Sequence, residues 1–171
     1  MVSWIFWLDF FSFINHPEFS WLDAPPLPWL EEFEPPAGGC LLTEIQFSNK
    51  LRDFVKNDTL EISDIDTLKA GRHIRLPNGA KLIIGRDKQD NEKLKNTTSS
   101  KYLKGKILNA TGPFCLLQKD ISKEDKELAA NFIVTYGKTE LGKVYDIDFG
   151  EFIIQGRKLS SKDEIQNYLI K

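Results

Sequence analysis

Asn78-Gly79, set between two short apolar runs, restricts the fold of this chain more than any other feature. His73-Ile-Arg-Leu76 and Ala80-Lys-Leu-Ile-Ile84 flank Pro77-Asn78-Gly79. Asn-Gly supplies the two positive-φ residues of a tight antiparallel hairpin. Gly85-Arg86 ends the second strand, and Asp87 stands as an N-cap for a polar helix over Lys88–Leu94. A hairpin running straight into a helix demands an antiparallel sheet with helices packed on it. The corner also places a glycine, an arginine and an asparagine beside a helix start. Those residues can hold an anion or an RNA backbone, and they can equally build an ordinary strand–helix corner.

The remaining pattern extends this α+β plan to a small domain of β-hairpins packed with three or four helices, preceded by an irregular aromatic-rich leader. Thr43 to about Asn57 reads as a helix capped by Thr43, with Phe47, Leu51, Phe54 and Val55 on one face. Glu61–Leu68 is a turn or a short helix starting near Ser63 or Asp64. Leu103–Leu108 reads as a short strand and Phe114–Leu117 as a buried one. Ser122 caps the clearest helix, which runs to about Tyr136 with Leu128, Ala129, Phe132 and Ile133 inward and Gly137 at its C′ position. Lys143–Phe149 and Glu151–Ile154 form a terminal hairpin. Ser161 and Glu164 form a capping box for a last helix ending at Lys171. The expected boundaries are residues 1–33 for the leader, 34–70 for a Gly-Gly-Cys loop and connecting helix, 71–159 for the main domain and 160–171 for the last helix.

Charge is divided unevenly. Residues 1–50 hold seven acids and one base, leaving 18 acids and 22 bases to the rest of the 171-residue chain. All four tryptophans and six phenylalanines fall within the first 33 residues, broken by prolines 17, 25, 26 and 28. That leader reads either as a poorly structured or non-native extension or as an aromatic docking arm. It lacks the basic face of a membrane-surface helix and the charged start of a signal peptide. No run of 18 apolar residues is present, so the expectation is a cytoplasmic chain with no membrane partner. Cys40 and Cys115 match no zinc spacing, and His16 and His73 stand alone, so no metal is expected.

From Glu34 onward the chain resembles known proteins. Pro36-Ala-Gly-Gly-Cys-Leu-Leu-Thr-Glu44 and Phe47-Ser-Asn-Lys-Leu-Arg-Asp53 are similar to the segment following the ATP-pyrophosphatase domain in some bacterial tRNA thiolation proteins, relatives of tRNA 4-thiouridine synthase and 2-thiouridylase. Gly71 to Leu94 resembles the RNA-binding domain named after the NFACT ribosome quality-control factors. The thiolation relatives carry a variant of that domain at their C-terminus. Gly112-Pro-Phe-Cys-Leu-Leu117 and Leu128-Ala-Ala-Asn-Phe-Ile-Val-Thr-Tyr-Gly-Lys138 continue the resemblance in order.

Two departures shape what it implies. The SGGxDS loop that binds ATP has no counterpart, since Gly38-Gly39-Cys40 lacks the following Asp-Ser. Ile107-Leu-Asn-Ala-Thr111, the stretch just before Gly112, holds no histidine, which favours the thiolation-linked subgroup over the ribosomal one. The resemblance therefore implies a noncatalytic piece of a longer or split protein, without a cofactor of its own. ATP would enter only through a pyrophosphatase domain acting in trans.

The partner so implied is RNA, and specifically tRNA, with a pyrophosphatase domain or sulfur donor in trans. The expected contacts are Arg72, Arg75, Lys81, Gly85, Arg86, Lys88 and Asn91. Arg86 leads them, because a guanidinium grips phosphate bidentately and the adjacent glycine permits close approach. Strand alternation puts Arg72 with Ile74 and Leu76, and Arg75 with His73, so the basic residues divide between two faces. Lys93, Lys95, Lys101, Lys104 and Lys106 add charge, with Tyr102 as the interleaved aromatic. Cys40 is the one catalytic candidate. A thiolate beside helix N–H groups has a lowered pKa, and in the resembled enzymes a cysteine there would relay sulfur. Cys115 reads as inert core, and Asp146 and Asp148 as a solvated strand face. A third reading is a protein-interaction module contacting its partner through the leader.

Overall fold

The computed structural model describes residues 44–171. The aromatic leader, the Gly-Gly-Cys loop and the proposed Thr43 cap lie outside them. The described chain runs α1 (Ile45–Asn57), α2 (Ile62–Leu68), β1 (Arg72–Arg75), β2 (Lys81–Ile84), α3 (Lys88–Lys95), β3 (Tyr102–Ile107), β4 (Cys115–Gln118), α4 (Lys123–Tyr136), β5 (Val144–Asp148), β6 (Ile153–Arg157) and α5 (Asp163–Gln166). The six strands form one sheet in the order β1-β2-β4-β3-β5-β6, with every pair antiparallel. The expected α+β class is the one observed. No helix of the described residues is long and apolar enough to cross a membrane.

Helices cover both faces of the β1-β2-β4-β3 half. On one face, Ile74, Leu82, Ile84, Leu103 and Leu117 pack against Ala129, Phe132 and Ile133 of α4. On the other, Ile83, Leu116 and Tyr102 pack against Phe47 and Phe54 of α1, Leu68 of α2 and Leu94 of α3. This explains why Leu82-Ile83-Ile84 shows no alternation, since both neighbours in the strand are buried. In β5 only Tyr145 and Ile147 are buried, and in β6 only Gly156. The outer face of that hairpin is left to solvent. Gly156 is needed there because an added Cβ would stand 2.6 Å from the carbonyl oxygen of Ala130 on α4.

Several local expectations are corrected. The 76–80 turn is a three-residue loop, closed by Gly79 N–H to Leu76 O and Leu76 N–H to Ala80 O, each at 2.9 Å. Only Gly79 has positive φ (95°), so Asn78 does not take the left-handed conformation of a two-residue turn. Instead the Asn78 amide donates to Ser122 Oγ and to Asp125 Oδ1, each at 3.1 Å, docking the hairpin tip on the start of α4. Glu44 sits at the N-cap of α1 without a side-chain cap, and Val55 is 57% exposed where Lys50 is buried. Glu61–Leu68 resolves into a helix closed by reciprocal Glu61 and Asp64 caps. Gly137 ends α4 with extended backbone at negative φ.

The last helix is four residues long and does not reach Lys171. Beyond it the chain lies along β1. Arg75 N–H donates to Tyr168 O at 3.0 Å and Ile170 N–H to His73 O at 2.9 Å, with Leu169 opposite Ile74. A bare sheet edge offers unpaired backbone groups, and the chain end satisfies them.

Candidate nucleic-acid interface

The basic residues of the hairpin have three different surroundings. Arg72 lies on the α4 side, its guanidinium carbon 4.8 Å from the centre of the Tyr136 ring. Arg75 and Lys81 lie on the opposite face, beneath α1. Asp53 of α1 accepts from Arg75 Nη2 at 2.5 Å and Nε at 3.1 Å, and from Lys81 Nζ at 3.2 Å. Lys81 is only 1% exposed, and its ammonium also stands 4.9 Å from the Phe54 ring centre. Burial lowers its pKa to about 8, with Asp53 opposing the shift and Arg75 adding to it. Lys81 is thus an interior residue, and its ammonium is not offered to a ligand on the surface.

His73 shares that buried layer. Its Nε2 lies 2.9 Å from Ala70 O and must carry the proton to donate there, which leaves Nδ1 bare and without a partner. Burial, then the Lys81 and Lys50 charges, hold its pKa well below the ordinary value. The ring is neutral and structural.

The corner after β2 forms as its residue types predict. Asp87 Oδ1 caps α3 by accepting from Asp90 N–H at 2.9 Å. Arg86 Nε donates to Asp90 Oδ2 at 2.6 Å, and the Arg86 backbone N–H donates to the same oxygen at 3.2 Å. Asp90 is almost fully buried while the Arg86 side chain is 45% exposed, so one edge of the guanidinium holds the corner and the rest meets solvent. That hydrogen bond, against a small desolvation effect, raises the Arg86 pKa. Asn91 Oδ1 accepts from Phe114 N–H at 3.0 Å, and Gly85 N–H donates to Phe114 O at 3.0 Å. Gly85 is required at this point, because a Cβ there would stand 2.1 Å from Asn91 Oδ1. Asn91 and Gly85 together clamp the start of β4 to the corner.

An exposed basic face lies on the β4 side of α3. Lys88, Asn91 and Lys95 fall three and four residues apart on one stripe of the helix. Lys95 Nζ stands 6.0 Å from the centre of the half-buried Phe114 ring. Lys104 of β3 reaches across to donate to Lys95 O at 2.6 Å. Lys106, two residues on, points to the same side of the sheet as Lys104. Across the sheet Lys106 faces Asp148, where the acids of β5 close the basic face off. Lys101 does not join it, because its ammonium is held by Asp64 at 2.8 Å and by Thr59 O.

Of the expected contacts, only Lys88 and the outer edge of Arg86 remain available at this corner. Lys95, Lys104 and Lys106, visible in the sequence only as part of a charge run, form the exposed cluster. Tyr102, the aromatic expected among them, is buried, and Phe114 takes that place. The only sequence signal for Phe114 is its position at the head of an apolar strand directly after Gly-Pro. Cys40 lies outside the described residues. Cys115 is fully buried and its thiol pKa is pushed up by burial, as expected of core.

The family model described as the NFACT protein RNA binding domain matches residues 71–169, more than half of the chain, and the chain belongs to that family. No curated protein matches it. Among solved structures, the C-terminal of the fibronectin/fibrinogen-binding protein from Streptococcus suis (FBPS) is similar at 12% identity and a TM-score of 0.48. The match covers 73% of this chain and 65%, less than two thirds, of that one.

Proposed function

We propose that this chain is a noncatalytic RNA-binding module that holds an RNA backbone on the basic face between α3 and β3. The observation that carries the reading is the clustering of exposed Lys95, Lys104 and Lys106 around Phe114, inside the stretch matched by an RNA-binding family. Lys88 and the free edge of Arg86 extend the face toward the corner. Lysine ammoniums meet phosphates as mobile point charges, which suits recognition of shape and backbone over base sequence. Lys81 and Asn91 serve the fold and leave the contact to these exposed groups.

In this proposal the RNA is tRNA and the module serves its thiolation, with activation chemistry carried by a separate domain. The similarity of Pro36–Glu44 and Phe47–Asp53 to the thiolation proteins supports that finer step. A gel shift of the full chain against tRNA and an unrelated RNA hairpin tests it. The expected result is binding at low salt, weakened several-fold by Lys88→Gln and tighter for tRNA. Equal affinity for both RNAs contradicts the tRNA assignment, and no shift at low salt contradicts the RNA reading itself.

A further inference from the structure

We propose that the Phe114 ring is a stacking platform for one unpaired nucleobase, flanked by ammoniums that take the adjoining phosphates. The inference rests on the RNA reading above and narrows it to RNA that offers a free base. Phe54 of α1 and Phe132 of α4 are fully enclosed, whereas Phe114, just before β4, packs against the α1–α3 core and stays half-buried.

Its position is held firmly. The N–H is bound by Asn91 Oδ1 and the carbonyl by Gly85 N–H, both at 3.0 Å, and Pro113 precedes it. The backbone that carries the ring is therefore fixed before binding, which lowers the ordering cost. Around it the charge is mainly positive: Lys95 Nζ stands 6.0 Å from the ring centre while pairing with the exposed Glu92 at 2.9 Å, and Lys104 is drawn in by its bond to Lys95 O. Lys106 continues the row along β3.

An aromatic ring with lysines beside it matches a nucleotide in both its parts. The π-face takes the base, whatever its identity, and the ammoniums take the phosphates on either side. A continuous duplex keeps its bases stacked inside and cannot use the ring. The platform thus selects single-stranded or looped RNA, or a splayed base within a folded RNA.

The test uses the full chain with RNA of about 12 nucleotides, within the span such sites cover. One probe is a single strand carrying a central 2-aminopurine, and the other is a duplex of the same length. Stacking predicts quenched 2-aminopurine emission and preferred binding of the single strand. Phe114→Leu should lose roughly 5- to 150-fold for the single strand, the range expected for one base–aromatic stack. Its duplex affinity should stay within about twofold, since phosphate contacts alone serve the duplex. Phe114→Trp keeps a π-face, and should retain both the quenching and the affinity, which separates loss of stacking from loss of fold.

Undiminished single-strand binding by Phe114→Leu overturns the platform while leaving the RNA reading intact. Unquenched emission in the bound wild-type complex overturns it too. Failure of the wild-type chain to bind either probe overturns both.

Discussion

At the scale of single residues, Asp53 carries the largest consequence. One carboxylate, 16% exposed, pairs with Arg75 and the buried Lys81 together. Hydrogen bonds from Arg75 and the two positive charges outweigh partial burial and hold its pKa below the ordinary value. Asp53→Asn leaves both cations uncompensated and is expected to cost about 3–5 kcal/mol in urea denaturation. Lys81→Met keeps an apolar stem against Phe54 and leaves Asp53 with Arg75, so it should cost less than about 1 kcal/mol. The same buried layer sets the response to pH. Unfolded His73 takes a proton near pH 6.5 that the folded ring refuses. Stability is therefore expected to fall as pH drops below about 6.5, toward the lower folded pKa. Folded Lys81 releases its proton near pH 8 and the unfolded side chain near 10.5, so its contribution grows as pH rises between them. Thermal melts at pH 5 and 7 should show the first trend, reduced in His73→Gln; an unchanged slope in that variant would contradict it. The burial of Lys81 is not legible in the local sequence, because its partner Asp53 stands 28 residues upstream on another element. A lysine on a short strand gives no sign of which layer will cover it.

At the scale of elements, the strand–helix corner is read correctly where the signals are local. Asp87 caps α3 and Ser122 caps α4 through the N–H three residues on, as the residue types foretell. Local signals fail where a distant element competes. The Asn78-Gly79 pair favours a two-residue turn, yet Ser122 and Asp125 at the start of α4 hold Asn78 in the longer loop. Ser161 and Glu164 favour a long last helix, yet the open edge of β1 draws the chain end into extended pairing. The corner makes its own prediction through Gly85 and Asn91. Gly85→Ala forces its Cβ against Asn91 Oδ1 and should cost about 1–3 kcal/mol. The same substitution made in Asn91→Ala should cost measurably less, because the obstructing atom is gone. A double-mutant cycle by chemical denaturation reads that coupling, and strict additivity would refute the clamp.

At the scale of the whole molecule, the sheet order β1-β2-β4-β3-β5-β6 explains why the exposed site differs from the expected one. The hairpin that dominates the sequence is sandwiched between helices, so its cations turn inward or pack on neighbouring rings. The order also sets β3 beside β4, which brings Lys104 and Lys106 next to Phe114 and α3. Composition and hairpin signals make the α+β class legible, but strand order depends on long-range pairing that no short segment encodes. The face proposed for RNA is thus assembled from α3, β3 and the start of β4. The most direct measurement is tRNA affinity across a salt series for the wild-type chain and a Lys95→Gln, Lys104→Gln, Lys106→Gln triple variant. If these three ammoniums meet phosphates, the dependence of log affinity on log salt should become shallower by roughly 2 to 3, at about 0.7–0.9 for each phosphate no longer neutralised. An unchanged slope, with the triple variant folded and binding as tightly as the wild type, would contradict the proposed interface.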